Sequence, residues 1–135
     1  MNIQVAVLCD AANESNGKLN LLGAFDAIYA GQLPAIHPQC SIALRMTFSN
    51  VEEGAHVLRI TFVDEDGQSI MPGIDLPIEV ELPPDTHFMT RNLIVSFQQL
   101  KFDKPCLYSA DVALDGRQEA SIPLQVLLLS GETRR

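Results

Sequence analysis

The sequence predicts an all-β protein in which two antiparallel sheets, with about eight strands in total, pack face to face as a β-sandwich. Apolar and polar residues alternate with a period of two in segment after segment, which is the pattern of half-buried strands. Short turn motifs separate these segments, and such turns join antiparallel neighbours because parallel pairing needs a long crossover. No long apolar stripe with helical spacing competes with this pattern. A closed barrel is the alternative arrangement.

The chain is long enough for one domain with a single core. It has 135 residues, of which 47% are hydrophobic and 19% are charged. This balance supplies enough apolar surface to offset the chain entropy, so disorder is not expected. We predict one sandwich domain over residues 1–130 and a polar C-terminal tail over residues 131–135.

The opening segment predicts a hairpin. Its first strand has one apolar face, formed by Ile3, Val5, Val7 and Cys9. Asn16-Gly17 follows, and both residue types readily adopt the positive φ that a tight hairpin turn requires. The run from Leu19 to Ala30 is apolar on both faces except at Asp26, which predicts a strand covered on both sides, with a helix as the alternative.

Alternation is clearest in the middle and at the end of the chain. It predicts strands over residues 40–48, 74–82, 108–114 and 120–128. Asp115-Gly116 joins the last two as a hairpin, and Asp64-Glu65-Asp66-Gly67 closes the run that ends at Phe62 onto Ile70. A further strand is predicted over residues 88–99, where Arg91 interrupts the apolar face.

Prolines indicate where pairing stops. Gly31 to Gln39 and Leu82 to His87 contain prolines and predict loops in which the chain crosses between the sheets. Pro77 and Pro123 fall at outward positions of alternating runs. Because proline has no N–H to donate, each of them predicts an edge position or a bulge.

Charge and cysteine content exclude several classes of function. Nine Lys and Arg against seventeen Asp and Glu give a net charge of -8, so the chain would repel nucleic acid and anionic membranes. No apolar run reaches the ~18 residues of a membrane span, and the start of the chain does not read as a secretory signal. Cys9, Cys40 and Cys106 are odd in number and far apart, which fits neither a disulfide framework nor a zinc site. We therefore expect a soluble cytoplasmic protein.

Six short motifs, spread along nearly the whole chain, together carry a resemblance to a known family. They are Val7-Leu8-Cys9-Asp10, residues 16–26, Leu58-Arg59-Ile60, Asp64-Glu65-Asp66-Gly67, residues 100–105 and residues 108–124. This set resembles an uncharacterised bacterial family of small immunoglobulin-like β-sandwich proteins. The resemblance implies that fold in a bacterial cell, and it carries no known activity from which a catalytic residue could be transferred.

A thiol catalyst could be imagined from Cys9-Asp10 with His37 and His56, because a thiolate needs a nearby base to lower its pKa. The spacing of these residues gives that hypothesis no support. Cys9 and Cys40 fall on apolar faces, where a free cysteine packs as a small hydrophobic residue. Cys106 is predicted to be the most exposed of the three thiols.

Acidic loop residues are candidate calcium ligands. Asp64, Glu65 and Asp66 could act with acids of other loops, namely Asp85, Asp103 and Asp115. Acids at hairpin tips ordinarily form turns, and the longer ligand series ending in Glu is missing, so a turn is the favoured interpretation. The histidines His37, His56 and His87 stand beside loops without metal-ligand spacing and are expected to be solvated. No catalytic residue, cofactor or metal site is predicted.

Asp26 and Arg91 most clearly interrupt apolar surroundings. A buried charge needs a partner, so we expect these two to form an ion pair, or Asp26 to bond to the backbone, rather than a general acid. Asp75, Glu79 and Glu81 form an acidic outer row. This row predicts a solvated face that resists edge pairing, with a docking surface for a basic partner as the alternative.

These observations favour a non-catalytic module for protein interaction or assembly. It would present loops or a sheet edge to a protein partner, or to a second copy, by strand addition. The opening strand is the candidate edge, with Ile3, Val5 and Val7 pairing across a two-fold axis. The alternative is a sandwich that binds calcium or carbohydrate at a loop end. Sugar sites commonly use exposed aromatic rings, and the sequence has no Trp and two Tyr, Tyr29 and Tyr108, which weakens the carbohydrate alternative. An enzyme is the least favoured class.

Overall fold

The computed structural model describes residues 1–129, which form nine strands and one short 3-10 helix at Asn50–Glu52. The strands are β1 (Asn2–Ser15), β2 (Lys18–Phe25), β3 (Ala27–Ala30), β4 (Ala35–Phe48), β5 (Gly54–Val63), β6 (Ile74–Val80), β7 (Met89–Phe102), β8 (Leu107–Leu114) and β9 (Arg117–Leu128). The predicted all-β class is confirmed, since 71% of the described residues are in strands. The predicted tail at 131–135 lies outside the described residues.

The strands form two sheets. Sheet I has the order β2-β1-β4-β7, and sheet II, which is curled, has the order β3-β9-β8-β5-β6. Every pair of neighbours is antiparallel except β3 and β9, which run parallel from Ala27 beside Gln125 to Ala30 beside Leu128. The expectation of purely antiparallel sheets is therefore wrong at one pair. The cause is that β3 follows β2 without a reversal of the chain and enters the other sheet.

The core lies between the inner faces of the two sheets, as the alternation predicts. On β4 the inward residues are all at most 2% exposed, and they are Cys40, Ile42, Leu44, Met46 and Phe48. Four aromatic rings join the sheets at one end of this core, and they are Phe62, Phe97, Phe102 and Tyr108. Phe102 of sheet I lies edge-on to Phe62 and Tyr108 of sheet II, with ring centroids 6.1 Å and 5.0 Å away.

The prediction of one covered strand from Leu19 to Ala30 is wrong. The run breaks at Asp26 into β2 and β3, which belong to different sheets, and β2 is largely exposed, with Leu22 at 72%. An apolar pattern on both faces does not reveal that a strand changes sheet and turns a different face inward. The loop predicted at 31–39 is also shorter, because β4 begins at Ala35. Both proline-containing segments do connect the two sheets, as predicted.

The hairpin of β1 and β2 folds back over the outer face of sheet I. Val5 pairs with Arg45, and a straight strand would carry Gly17 about 40 Å from that pair. Instead, Arg45 Nη1 donates to the carbonyl oxygen of Gly17 at 3.2 Å. Ser41 and Ala43 on the outer face of β4 are consequently buried, at 3% and 0% exposure.

We predict that Gly23→Ala destabilises this folded-back hairpin. Gly23 has a φ of +72°, and a Cβ there would lie 2.5 Å from Asp10 Oδ2. The strained backbone and the contact are together expected to cost about 1–3 kcal/mol of unfolding free energy, measured by urea denaturation. Gly31→Ala is the control, because Gly31 has no positive φ and no atom within 4 Å of a Cβ. Equal stability of the two variants would contradict the prediction.

Candidate functional site

On one side of the fold, a strand of each sheet has a backbone edge that is unpaired over part of its length within residues 1–129. β2 pairs with β1 from Leu8 onward, so among residues 1–129 the backbone of residues 2–7 of β1 pairs with β4 alone. β3 pairs with β9 from Gln125 onward, so in the described part of the chain the backbone of residues 117–124 of β9 pairs with β8 alone. Both gaps have one cause, because the chain leaves sheet I at Phe25 and enters sheet II at Ala27.

We call the region formed by residues 2–7 of β1, Asp26 and residues 117–124 of β9 the open side. A cleft of about 340 Å³ lies here. Its walls are Ala6 and Leu8 of β1, Phe25 and Asp26 of the junction, and Ile122 and Pro123 of β9. Leu8 and Ile122 are core residues at 1% and 5% exposure. The floor of the cleft is therefore the hydrophobic core, and its one charged lining group is Asp26. Clefts of similar size at 11–22 and 28–37 do not border these unpaired edges, whereas one of about 350 Å³ lined by Asn2, Gln4 and Glu52 lies at the start of β1.

The opposite side of the fold, where β6 and β7 end the two sheets, carries features that discourage pairing with another strand. Arg91 lies opposite Met46, on the inner face of β7, and its Nη1 donates to the carbonyl oxygen of Glu79 on β6 at 3.3 Å. An inward charge of this kind protects an edge, and Pro77 in β6 removes a donor, as predicted. Residues 2–7 contain neither proline nor a charged residue.

The opening strand is only partly the edge that the sequence predicts. A bulge between Ile3 and Val5 shifts the register, so Ile3 packs on the core while Val5 and Val7 lie on the outer face. The prediction that Ile3, Val5, Val7 and Cys9 share one face is therefore wrong. Pro123 pairs with Ser109 on one side and lies before the segment that β3 covers, so its predicted edge position is confirmed.

The expected ion pair between Asp26 and Arg91 does not form, because the two residues lie on opposite sides of the fold. Arg91 is half-buried and binds the Glu79 carbonyl. Asp26 is exposed, and its backbone carbonyl accepts from the N–H of Gln125 at 2.9 Å. The acidic row is exposed at Asp75 and Glu79, and Asp75 Oδ1 accepts from Arg59 Nη1 at 2.8 Å.

The acidic loop at Asp64 is a turn, as favoured from the sequence. Asp64 Oδ1 accepts from the backbone N–H groups of Asp66 and Gln68 at 2.9 and 3.0 Å. The Gln68 N–H is the main cause that lowers the pKa of Asp64. Lys104 Nζ lies 3.6 Å from Asp64 Oδ2 and 3.1 Å from Asp66 Oδ2, so an ammonium group stands where a cation would bind. Within residues 1–129, no group of three or more His, Cys, Asp or Glu side chains could hold a metal ion.

The thiols are placed as the sequence predicts. Cys9 and Cys40 are buried, at 0% and 2% exposure, and Cys106 is half-buried. Burial raises the pKa of Cys9, and it raises that of Cys40 to about 11, which keeps both thiols protonated at neutral pH. Tyr108, at 1% exposure, is too buried to stack on a sugar.

The prediction of solvated loop histidines is right for His87 and wrong for His37 and His56. His37 lies half-buried on β4, with its ring centroid 5.5 Å from that of Phe25. His56 lies on β5 with its side chain 16% exposed and its ring stacked on Phe48. Its Nδ1 is 2.6 Å from Asp115 Oδ2, and its Nε2 is 2.6 Å from the carbonyl oxygen of Glu52. Both partners are acceptors, so the doubly protonated ring satisfies both contacts by donating from each nitrogen. Glu52 also binds the N-terminal ammonium of Met1.

We predict that the contact between His56 and Asp115 makes the unfolding free energy depend on pH. The bonds to Asp115 and to the Glu52 carbonyl raise the pKa of His56 above its ordinary 6.5, so its contribution is complete below about pH 6.5 and is lost as pH rises through the folded-state pKa. The same pair lowers the pKa of Asp115 below its ordinary 3.8, so that contribution is lost as pH falls through the lowered value. The full effect is expected between about pH 4 and 6.5.

The measurement is the unfolding free energy of the wild type and His56→Gln at pH 5.5 and 8.5. We expect the variant to lose more stability at the lower pH. His87→Gln is the control, because His87 is exposed in the loop before β7. A difference between wild type and His56→Gln that is equal at both pH values would contradict the prediction.

Comparisons with known proteins give a family and no activity. No curated protein matches the chain. Among solved structures, a β-glucuronidase from glycoside hydrolase family 2 aligns with 12% identity and a TM-score of 0.35, over 70% of this chain and 11% of that one. No helix within residues 1–129 is long and apolar enough to cross a membrane. Residues 4–127 match the profile of a family of unknown function, DUF6941, and the chain belongs to that family.

Proposed function

We propose that the chain is a non-catalytic protein-interaction module, an immunoglobulin-like β-sandwich that takes up an extended segment of a partner by strand addition at the open side. The observation that carries the proposal is the unpaired edge of residues 2–7 of β1 beside an apolar cleft. Unpaired N–H and C=O groups along a strand are a template for another strand. Affinity then comes from backbone hydrogen bonds, and specificity comes from pockets for alternate side chains.

Differences between the strand edges support this choice of surface. Arg91 and Pro77 make the β6 and β7 edges poor partners for another strand, whereas residues 2–7 of β1 are neutral and contain no proline. The floor of the cleft at Leu8 and Ile122 belongs to the core, so inward side chains of an added strand would extend the core. An added strand is therefore expected to gain hydrophobic contacts as well as hydrogen bonds.

The absence of catalysis and the location in a bacterial cytoplasm are parts of the same proposal. Burial raises the pKa of the Cys9 and Cys40 thiols, which argues against their use as nucleophiles. Three free cysteines are compatible with a reducing compartment.

The test is selection of binders from a library of extended seven-residue peptides, followed by hydrogen exchange of the complex. We expect bound peptides to protect the amides of residues 2–7, and we expect Ala6→Arg to abolish binding because it places a charge on the inner face beside the cleft. Val51→Arg is the matched control, since it adds the same charge at a side chain that is 87% exposed. Peptides that protect another surface, or that bind Ala6→Arg as well as wild type, would refute the proposal.

Self-association is one form of the proposal that is simple to examine. Two copies could pair along residues 2–7 around a two-fold axis, since this interface is self-complementary. A mass in solution of 14.8 kDa at high protein concentration would exclude that form and leave a different protein as the partner.

A further inference from the structure

We infer that the strand bound at the open side is basic at one end, with a Lys or Arg that pairs with Asp26 and small apolar residues that fill the cleft. This inference rests on the proposed function and adds the chemistry and direction of the partner segment. It identifies Asp26 as a specificity-determining residue, because Asp26 is the one charged group that lines the cleft.

The position of Asp26 follows from the register of β1 and β2. Cys9 pairs with Ala24 and Leu8 pairs with Phe25, so an uninterrupted β2 would place residue 26 beside Val7. Instead, the backbone carbonyl of Asp26 binds the N–H of Gln125, which holds the junction against β9. The backbone of Asp26 is consequently held at the point where the unpaired edge of β1 begins, and Asp26 lines the cleft there.

The charge around the cleft favours a cation at this point. Asp26 is exposed and forms no ion pair with any residue in the described range 1–129. Its immediate neighbours in the cleft wall are apolar, and the whole chain carries a net charge of -8. Complementary charge across an interface steers the encounter and fixes the register of the bound segment.

The geometry also assigns a direction to the partner strand. Sheet I is antiparallel throughout, and antiparallel pairing is slightly more stable per residue than parallel pairing. An added strand that is antiparallel to β1 starts beside Val7, where β2 stops, and runs toward Asn2. Its basic residue must therefore lie at its N-terminal end. The cleft of about 340 Å³ is at the lower limit of ~300–1,000 Å³ for ligand pockets, so the inward residues that follow are small.

The experiment uses three blocked synthetic peptides in binding titrations with the full chain. The first is Arg-Val-Thr-Ala-Thr-Val, the second has Gln in place of Arg, and the third has Arg moved to the C-terminal end. We expect the first peptide to bind about two- to fivefold more tightly than the other two, which is the size expected for a partly exposed ion pair. Asp26→Asn should remove this preference, so that the Arg and Gln peptides bind the variant with equal affinity.

Glu79→Gln is the matched control variant. It removes the same charge from an exposed side chain on β6, at the opposite edge of sheet II, so the preference for the Arg peptide should persist. If the Arg and Gln peptides bind equally at residues 2–7, the basic partner is refuted while strand addition stands. If no peptide binds and the protein is monomeric, strand addition itself is refuted. If residues 2–7 are occupied by a second copy, the basic partner is refuted.

Discussion

Replacing Phe102 by Ala is expected to lower the unfolding free energy by about 3–5 kcal/mol, the range found when a fully buried aromatic residue is truncated. Phe102 is 0% exposed and contacts Phe62 and Tyr108 of the opposite sheet through edge-on ring packing. The substitution removes apolar surface from the core and leaves a cavity that the surrounding strands cannot close. It also removes two aromatic contacts, each worth about 0.5–1.5 kcal/mol beyond the buried area.

The measurement is equilibrium denaturation in urea, with the free energy extrapolated to water. Phe88→Ala is the control, because Phe88 is 57% exposed at the end of the loop before β7. That variant should stay within about 0.5 kcal/mol of wild type. A loss below about 1 kcal/mol for Phe102→Ala would show that this ring is not part of a tightly packed core.

The strands with one wet face could be predicted from the sequence because burial imposes a period of two on them. Cys40 to Phe48 alternates, and its inward residues are buried as the pattern requires, although Ser41 and Ala43 on the outer face are buried as well. The prediction of a single covered strand from Leu19 to Ala30 is wrong because β2 and β3 turn different faces inward. Two half-buried strands that follow each other in this way give a sequence with apolar residues on both faces. The one polar residue within the run, Asp26, marks the point where the chain changes sheet, and this signal was present in the sequence.

The sequence predicts an edge in the opening strand, but it does not predict the extent of the open side, because this depends on which strands become neighbours. Residues 2–7 pair with β4 on one edge and lack a partner strand on the other within residues 1–129, because β2 leaves sheet I at Phe25, which is a long-range property of the topology. The bulge after Ile3 also changes which residues of β1 face the core, and no Gly or Pro in that segment indicates a bulge. The sequence shows that Arg91 interrupts an apolar face. It does not show the partner of Arg91, because the Glu79 carbonyl is a backbone group that no side-chain pattern indicates.

Tyr108→Phe is expected to lower the unfolding free energy by about 1–3 kcal/mol, the cost of leaving buried polar groups unsatisfied. The Tyr108 hydroxyl donates to the carbonyl oxygen of Lys104 at 2.7 Å and accepts from the N–H of Lys104 at 3.3 Å. Burial raises the pKa of Tyr108, so the hydroxyl keeps its proton and can donate at neutral pH. One phenol therefore satisfies both backbone groups of the residue whose ammonium pairs with Asp64 and Asp66.

Loss of the hydroxyl should also loosen the turn that carries Cys106, which is two residues before Tyr108. We therefore expect Tyr108→Phe to raise the rate at which Cys106 is alkylated under native conditions, since exposure of the thiol limits that reaction. Cys9 and Cys40 report on global unfolding in the same sample, because they are 0% and 2% exposed. Faster alkylation of Cys106 alone would locate the effect in the turn, whereas equal acceleration at all three thiols would mean that the hydroxyl stabilises the whole fold and does not hold this turn specifically.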